Sequence, residues 1–133
     1  MWWITPLLIL VAGIFNATMD ALRTRWGTCI FKDWSGQNWI NPSIAWHNKW
    51  EIDKKLFGKE VPIVDKIMST SLVWITDMWH LVKMLMLICI TLAIVFYVPM
   101  FHWLLDAFIF YCLFTITFEL FFSKILIKKT PKI

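Results

Sequence analysis

Charged residues are scarce in this chain. Asp, Glu, Lys and Arg make up 17% of its 133 residues, whereas a soluble globular domain carries about 25%. Hydrophobic residues reach 59%, Trp occurs ten times, and the mean hydropathy is +0.65. This composition predicts an integral membrane protein, because indole rings favour the headgroup region of a bilayer. The net charge of +4 is not gathered into an Arg-rich stripe, so no nucleic-acid partner is predicted.

Motifs of soluble enzymes and metal proteins are also missing. The sequence has no Cys-x-x-Cys, no Gly-x-Ser-x-Gly, no Gly-rich phosphate loop, no His-Glu-x-x-His and no internal repeat. Its three Cys are odd in number and far apart. Cys89 and Cys112 lie inside apolar runs, which favours small buried hydrophobic residues over a disulfide or a metal site. No metal and no cofactor are therefore predicted.

No Lys or Arg precedes Arg23, so the first apolar run lacks the basic region of a secretory signal. We interpret residues 1–19 as a retained transmembrane helix. Residues 81–98 and 101–122 are also long enough to cross a bilayer, which takes about 20 helical residues. Pro99 separates these two runs, which predicts a helical hairpin with a very short turn. The predicted fold class is all-α, integral membrane, with three transmembrane helices.

The basic residues predict an orientation. All 13 lie either between positions 23 and 83 or in the tail, residues 123–133. With three spans, the segment 20–80 and the tail fall on the same side, which the positive-inside rule makes the cytoplasm or its equivalent. The N-terminus is predicted outside and the C-terminus inside. His102 and Asp106, beside the hairpin turn, are predicted to be an exposed interfacial pair.

Residues 20–80 form the predicted inner-side loop, which is rich in Trp and leads through an amphipathic helix from Pro62 into the second span. Five of its seven Trp recur beside Lys and Arg, and they are Trp26, Trp34, Trp39, Trp46 and Trp50. Indole rings at headgroup depth with basic side chains towards anionic lipid indicate a segment on the membrane surface. Interspersed acidic residues argue against single-stranded nucleic acid. Lys83 is predicted to reach lipid phosphates with its long stem.

Polar residues at the inner ends of the three spans form a candidate cluster of Asn16, Asp20, Asp77, His80 and Glu119. Asn16 and Asp20 are four residues apart, and Asp77 and His80 are three apart, so each pair shares a helical face. Three interpretations stay open. The residues are separate interfacial groups, with Glu119 paired to Lys124, or they form a structural hydrogen-bond network. Alternatively, they bind a divalent metal or act as a general acid and base.

The segments "GIFNATMDALRTRW", "WINPSIAWHNKW" and "WITDMWHLVKM" together resemble an uncharacterised family of small multi-span bacterial membrane proteins, chiefly from the Bacteroidota. The resemblance covers roughly residues 13–83. The matching residues are Asn16, Asp20, Asn41, Pro42, Trp46, Asn48, Lys49, Thr76, Asp77, Trp79 and His80. The resemblance implies that these residues form one unit and implies no activity. Family members often carry His where Arg23 to Arg25 stands, and this departure weakens the metal interpretation.

Two classes of function are compatible with the sequence. The first is a lipid-contacting structural or accessory subunit of a membrane assembly, either a bacterial envelope complex or a membrane-containing virion. The second is a membrane-embedded hydrolase or transferase that acts on lipid headgroups through the polar cluster. A transporter is disfavoured, because three spans enclose no pathway unless the chain oligomerises. The expected partners are membrane lipids, together with other proteins or further copies of the chain.

Overall fold

Three long apolar helices form the frame of the protein, and shorter helices lie between the first two. The computed structural model describes residues 2–48, 51, 54, 58 and 61–128. In chain order the helices are α1 (Ile4–Thr24), α2 (Gln37–Ile40), α3 (Pro42–Ala45), α4 (Pro62–Thr70), α5 (Met78–Val95) and α6 (Trp103–Leu120). Short 3-10 stretches occur at Trp26–Thr28, Ile30–Asp33 and Val73–Ile75, and α6 continues as a π-helix over Phe121–Leu126. Within these residues there is no strand, and one isolated bridge joins Cys29 to Ile127.

The prediction of a helical chain with three possible membrane spans is confirmed for the described residues. α1, α5 and α6 with its π-helical extension are each long and apolar enough to cross a bilayer. They lie over the three predicted apolar runs. α5 begins at Met78, ahead of the predicted boundary at residue 81, because Asp77 caps the helix there.

α5 and α6 each pack mainly against α1 rather than against each other. Small residues make this arrangement possible, since Ala12, Gly13, Ala17 and Ala21 are all buried on α1. A Cβ atom at Gly13 would stand 2.9 Å from the carbonyl oxygen of Phe114. Helices whose backbones approach this closely need small residues at the contact. α1 is therefore the helix on which the other two assemble.

A buried carboxylate holds the turn between α5 and α6. Asp106 is 1% exposed. Three donors reach its oxygens: the Tyr97 hydroxyl at 2.7 Å, the Met100 N–H at 3.0 Å and the Phe101 N–H at 3.1 Å. The hydrogen bond to Asp106 raises the pKa of Tyr97. The predicted exposure of Asp106 is wrong, because the irregular connection between the helices leaves backbone N–H groups that need an acceptor.

Two further polar contacts secure the same end of the bundle. Thr5 of α1 is buried, and its hydroxyl donates to the Phe96 carbonyl oxygen at 3.1 Å. His102 is exposed and caps α6, where its Nδ1 accepts from the Leu104 N–H at 3.4 Å. The start of α1 is thereby tied to the end of α5. We call this the turn end of the bundle.

The opposite end, where α1 ends and α5 begins, is called the loop end. Its buried core consists of Ala17, Ala21, Leu22, Cys29, Phe31, Ile40 and Leu126. The residues that follow α6 join the residues that follow α1 here, since the Lys128 N–H donates to the Thr28 carbonyl oxygen at 2.8 Å. The Lys128 ammonium also pairs with the Asp33 carboxylate. That hydrogen bond from Lys128 lowers the pKa of Asp33.

Candidate functional site

The start of α5 positions an aspartate–histidine pair. Asp77 is the N-cap of the helix, with extended backbone angles, and its Oδ1 accepts the His80 N–H at 2.9 Å. Asp and Asn are favoured at this position because their side chains satisfy the free N–H groups of the first turn. Oδ2 of the same carboxylate lies 2.6 Å from Nδ1 of the His80 ring. The Asp77 side chain thus sets where α5 begins and how the His80 ring is oriented.

The short contact determines how the imidazole is protonated. An ionised carboxylate only accepts hydrogen bonds, so Nδ1 of His80 carries the proton and donates it to Asp77. This assignment rests on the hydrogen-bond partner, as is usual for histidine. Nε2 is then a free base in the neutral ring, or a donor in the charged ring. Such an imidazole can accept a proton or bind an anion.

The Trp-rich segment is fastened to the residues just before this pair. The Trp39 indole N–H donates to the Ile75 carbonyl oxygen at 3.2 Å. The Asn48 side chain donates to the carbonyl oxygens of Asn38 and Thr76, both at 2.9 Å. Thr76 is itself buried. These hydrogen bonds hold the segment that contains α2 and α3 against the start of α5.

A cavity of about 340 Å³ lies between these elements at the loop end. We call it the loop cavity, and its lining consists of Arg23, Ile40, Pro42, Ala45, Trp46, Asp77, Trp79 and His80. Arg23 comes from the last turn of α1, and Pro42 and Ala45 bound α3. Its ionisable groups are the guanidinium of Arg23 and the Asp77–His80 pair. The cavity therefore combines apolar and indole walls with a few polar groups, as ligand sites commonly do.

Trp79, which lines the loop cavity, carries an unusual donor. Its indole N–H is buried and has no hydrogen-bond partner among the described residues. Nearly all buried polar groups are hydrogen-bonded, so a buried donor without an acceptor is unusual. The ammonium of Lys83 lies over the Trp79 ring, 5.1 Å from its centroid. Lys83, predicted to reach lipid phosphate, thus lies over an aromatic ring one turn earlier on α5.

The structure joins Asp77 to His80 but not to the other predicted cluster residues. Asn16 and Asp20 are half-buried, and Glu119 is exposed. The Asp20 and Glu119 backbone carbonyls accept hydroxyls one turn later on their own helices. Among the described residues, no hydrogen bond or ion pair links these three side chains to the pair, and no group of three His, Cys, Asp or Glu could hold a metal.

Sequence reasoning overlooked Arg23 and Trp79 as site residues. Arg23 counted only as a topology signal, although it stands three residues after Asp20 and so follows it by one helical turn. Trp79 lies between Asp77 and His80 and was noted only as a motif residue. Their shared position at the ends of α1 and α5 was the signal that could have found them.

The Trp residues predicted at the lipid interface have different environments. Trp34 and Trp46 are 51% and 47% exposed. Trp26 and Trp39 are half-buried and pack against the loop-end core. Trp50 lies outside the described residues. Of the four predicted interface Trp that the structure describes, Trp34 and Trp46 are therefore the ones whose exposed indoles could reach lipid.

Comparison with known proteins gives no match to a family model, a curated protein or a solved structure.

Proposed function

We propose that this chain is a multi-pass membrane protein that acts as a lipid-contacting structural or accessory subunit of a membrane assembly. That assembly is a bacterial envelope complex or a membrane-containing virion. Membrane lipids are its immediate partners, and other proteins or further copies of the chain are its neighbours in the assembly.

The exposed apolar surface of the long helices carries the proposal. Ile94 is 72% exposed, and Phe108 and Tyr111 on α6 are 64% and 67% exposed. Soluble monomers rarely expose such continuous apolar surface, whereas hydrocarbon solvates it without cost. Asp106, an acidic residue in the first turn of α6, is buried and hydrogen-bonded, as ionisable groups within a membrane usually are.

A cleft near the turn end adds to the lipid-contacting surface. It has a volume of about 270 Å³ and opens between α5 and α6, with α1 behind it. Ile9, Ile94 and Phe110 are among the apolar side chains that line it. A cleft of this composition, at a depth within the spans, suits an acyl chain better than water.

The connection between the chain segments supports the proposed orientation. The residues after α1 and after α6 are bonded through Lys128, Thr28 and Asp33 at the loop end. Segments in such contact lie on one side of a membrane. Both are basic, which favours the cytoplasmic side or its equivalent. The N-terminus then lies outside and the C-terminus inside.

Alkaline carbonate extraction tests whether the chain is integral. Carbonate at high pH strips peripheral proteins from membranes, and we expect this chain to stay in the pellet and to be released only by detergent. A peripheral protein of the same host serves as the control. Release by carbonate would contradict the membrane proposal.

Photo-crosslinking tests the role as a subunit. A photoreactive phenylalanine analogue at Phe108, which is 64% exposed, should form adducts with protein in the native membrane. The matched control is the same analogue at Phe31, which is 4% exposed and should form none. Adducts with lipid alone at Phe108 would contradict the assembly role and leave lipid contact intact.

A second candidate function is favoured by the 2.6 Å contact between Asp77 and His80. A carboxylate that orients an imidazole is the arrangement with which hydrolases activate water or a hydroxyl. The candidate is a hydrolase or transferase that acts on lipid headgroups at the loop cavity. Purified protein incubated with fluorescent phospholipids should then release product, and His80→Gln should not. Absence of product from the wild-type protein would contradict this candidate.

A further inference from the structure

We propose that the loop cavity binds a phosphate group, carried either by a lipid headgroup or by a small soluble molecule. The lipid form of this proposal rests on the membrane function proposed above, whereas phosphate recognition itself does not. Three donors of different chemistry support it, and they are Arg23, His80 and Trp79.

Arg23 supplies an unpaired positive charge. It is exposed at the end of α1 and lines the cavity. No described residue forms an ion pair with it, although Asp20 stands one turn earlier on the same helix. A guanidinium carries five N–H donors in a planar fork that matches two oxygens of a phosphate. An arginine at a cavity wall that no described residue pairs is therefore suited to this ligand.

His80 supplies a second donor, and Asp77, which also lines the cavity, is more deeply buried than the imidazole. The Asp77 side chain is 6% exposed and that of His80 is 24% exposed. Both Asp77 oxygens already face donors, the His80 N–H and Nδ1. An incoming anion therefore meets the imidazole rather than the carboxylate. In its charged form the imidazole donates from Nε2.

Trp79 supplies a third donor that no described residue satisfies. Its buried indole N–H lines up with no acceptor within the described residues, and its side chain lines the cavity. A phosphate oxygen would supply the missing acceptor once the ring turns far enough to open this N–H, which is closed to solvent here, towards the cavity. The cavity also adjoins the first turn of the 18-residue helix α5, whose positive end favours an anion.

The test compares two ligands that differ only in the phosphate. Dioctanoyl phosphatidic acid and dioctanoylglycerol are titrated into the full chain in neutral detergent, and bound ligand is counted by native mass spectrometry. Phosphatidic acid should bind at least about tenfold more tightly, since a bidentate charge-assisted pair is present only with the phosphate. Glycerol 3-phosphate, added as competitor, separates the two sources. If glycerol 3-phosphate does not displace phosphatidic acid, the natural ligand of the cavity is a lipid. If it displaces phosphatidic acid at equal concentration, the natural ligand is a soluble phosphate compound.

Matched variants locate the binding. Arg23→Gln should weaken phosphatidic acid binding about tenfold, whereas Arg25→Gln, with the same loss of charge two residues away, should change it less than about twofold. Trp79→Phe keeps the ring and removes the N–H, and should weaken binding about threefold to tenfold. Trp34→Phe is its control. Circular dichroism melts show whether each variant is folded. Because Arg23 is exposed, the Arg23→Gln variant can be measured even if Trp79→Phe is unstable.

Equal weakening by Arg23→Gln and Arg25→Gln would overturn the proposal, because diffuse attraction by any basic residue would then explain binding. Equal affinity for phosphatidic acid and dioctanoylglycerol would overturn it as well. Both measurements are made in detergent, so release of the chain by carbonate would refute the membrane function without deciding this one.

Discussion

Replacing Asp77 by Asn tests the bond between its carboxylate and the His80 ring without removing the helix cap. Asn caps helices about as well as Asp, so a side-chain oxygen still accepts the His80 N–H that Asp77 now accepts at 2.9 Å. The amide nitrogen takes the place of the oxygen that lies 2.6 Å from Nδ1. The variant therefore loses one charge-assisted hydrogen bond and keeps the cap.

The burial of the pair sets the size of the loss. A hydrogen bond to a charged group contributes about 1.5–3 kcal/mol to stability. The His80 side chain is 24% exposed, which places this bond near the lower limit, at about 1.5 kcal/mol. His80→Ala leaves the Asp77 carboxylate without its imidazole and should cost about 1–3 kcal/mol. The double variant loses the bond only once, so its cost should fall short of the sum by about 1.5 kcal/mol.

The free energy of unfolding is measured by titrating dodecyl sulfate into dodecylmaltoside micelles while far-UV circular dichroism is followed. Lys83→Met is the control on the next turn of α5. It removes only the contact of Lys83 with the Trp79 ring, worth about 0.5–1 kcal/mol at an exposed site. Additive costs for Asp77→Asn and His80→Ala would refute the reasoning, since the two side chains would then not stabilise each other.

Three further predictions concern other contacts. Gly13→Ala should cost about 1–3 kcal/mol of unfolding free energy because its Cβ meets a backbone oxygen at 2.9 Å; Gly27→Ala, with nothing within 4 Å, is the neutral control. Asp106→Ala should cost at least about 3 kcal/mol because three donors lose their acceptor; an effect below about 1 kcal/mol would contradict the buried role. Asp33 has a lowered pKa in the folded chain, so its pairing with Lys128 is present above the ordinary value of 3.8 and is lost as the pH falls through the lowered pKa. The protection factor of the Lys128 amide, which is its exchange rate in the unstructured chain divided by that in the folded chain at the same pH, should therefore fall below that pH, and Asp33→Asn should show the lower protection factor already at neutral pH.

The long helices could be predicted from the sequence because an apolar run of bilayer length needs no knowledge of packing. The pairing of Asp77 with His80 could also be predicted, since residues three apart share a helical face. The burial of Asp106 could not be predicted from the sequence. Its donors belong to an irregular turn, and composition does not specify how such a turn directs its N–H groups.

Equal depth along the helices led the sequence analysis to group more residues than the structure joins. Asn16, Asp20 and Glu119 are near the same end of the bundle as His80, but contact also requires the right rotation of each helix. That rotation is set by close packing at small residues such as Gly13, which depends on the facing helix. Residues at the same depth in the bundle therefore meet only if the packing of their helices turns them towards each other.

Cysteine labelling tests most directly the central claim of three spans with the loop and the tail on one side. In a background with the native cysteines Cys29, Cys89 and Cys112 replaced by Ala, single cysteines are placed at the exposed Ser35, at the exposed Phe101 and at the C-terminus. A membrane-impermeant maleimide added to intact cells should label only Phe101→Cys. The other two should react only after the membrane is permeabilised. Labelling of Ser35→Cys and the C-terminal cysteine from opposite faces would contradict the account.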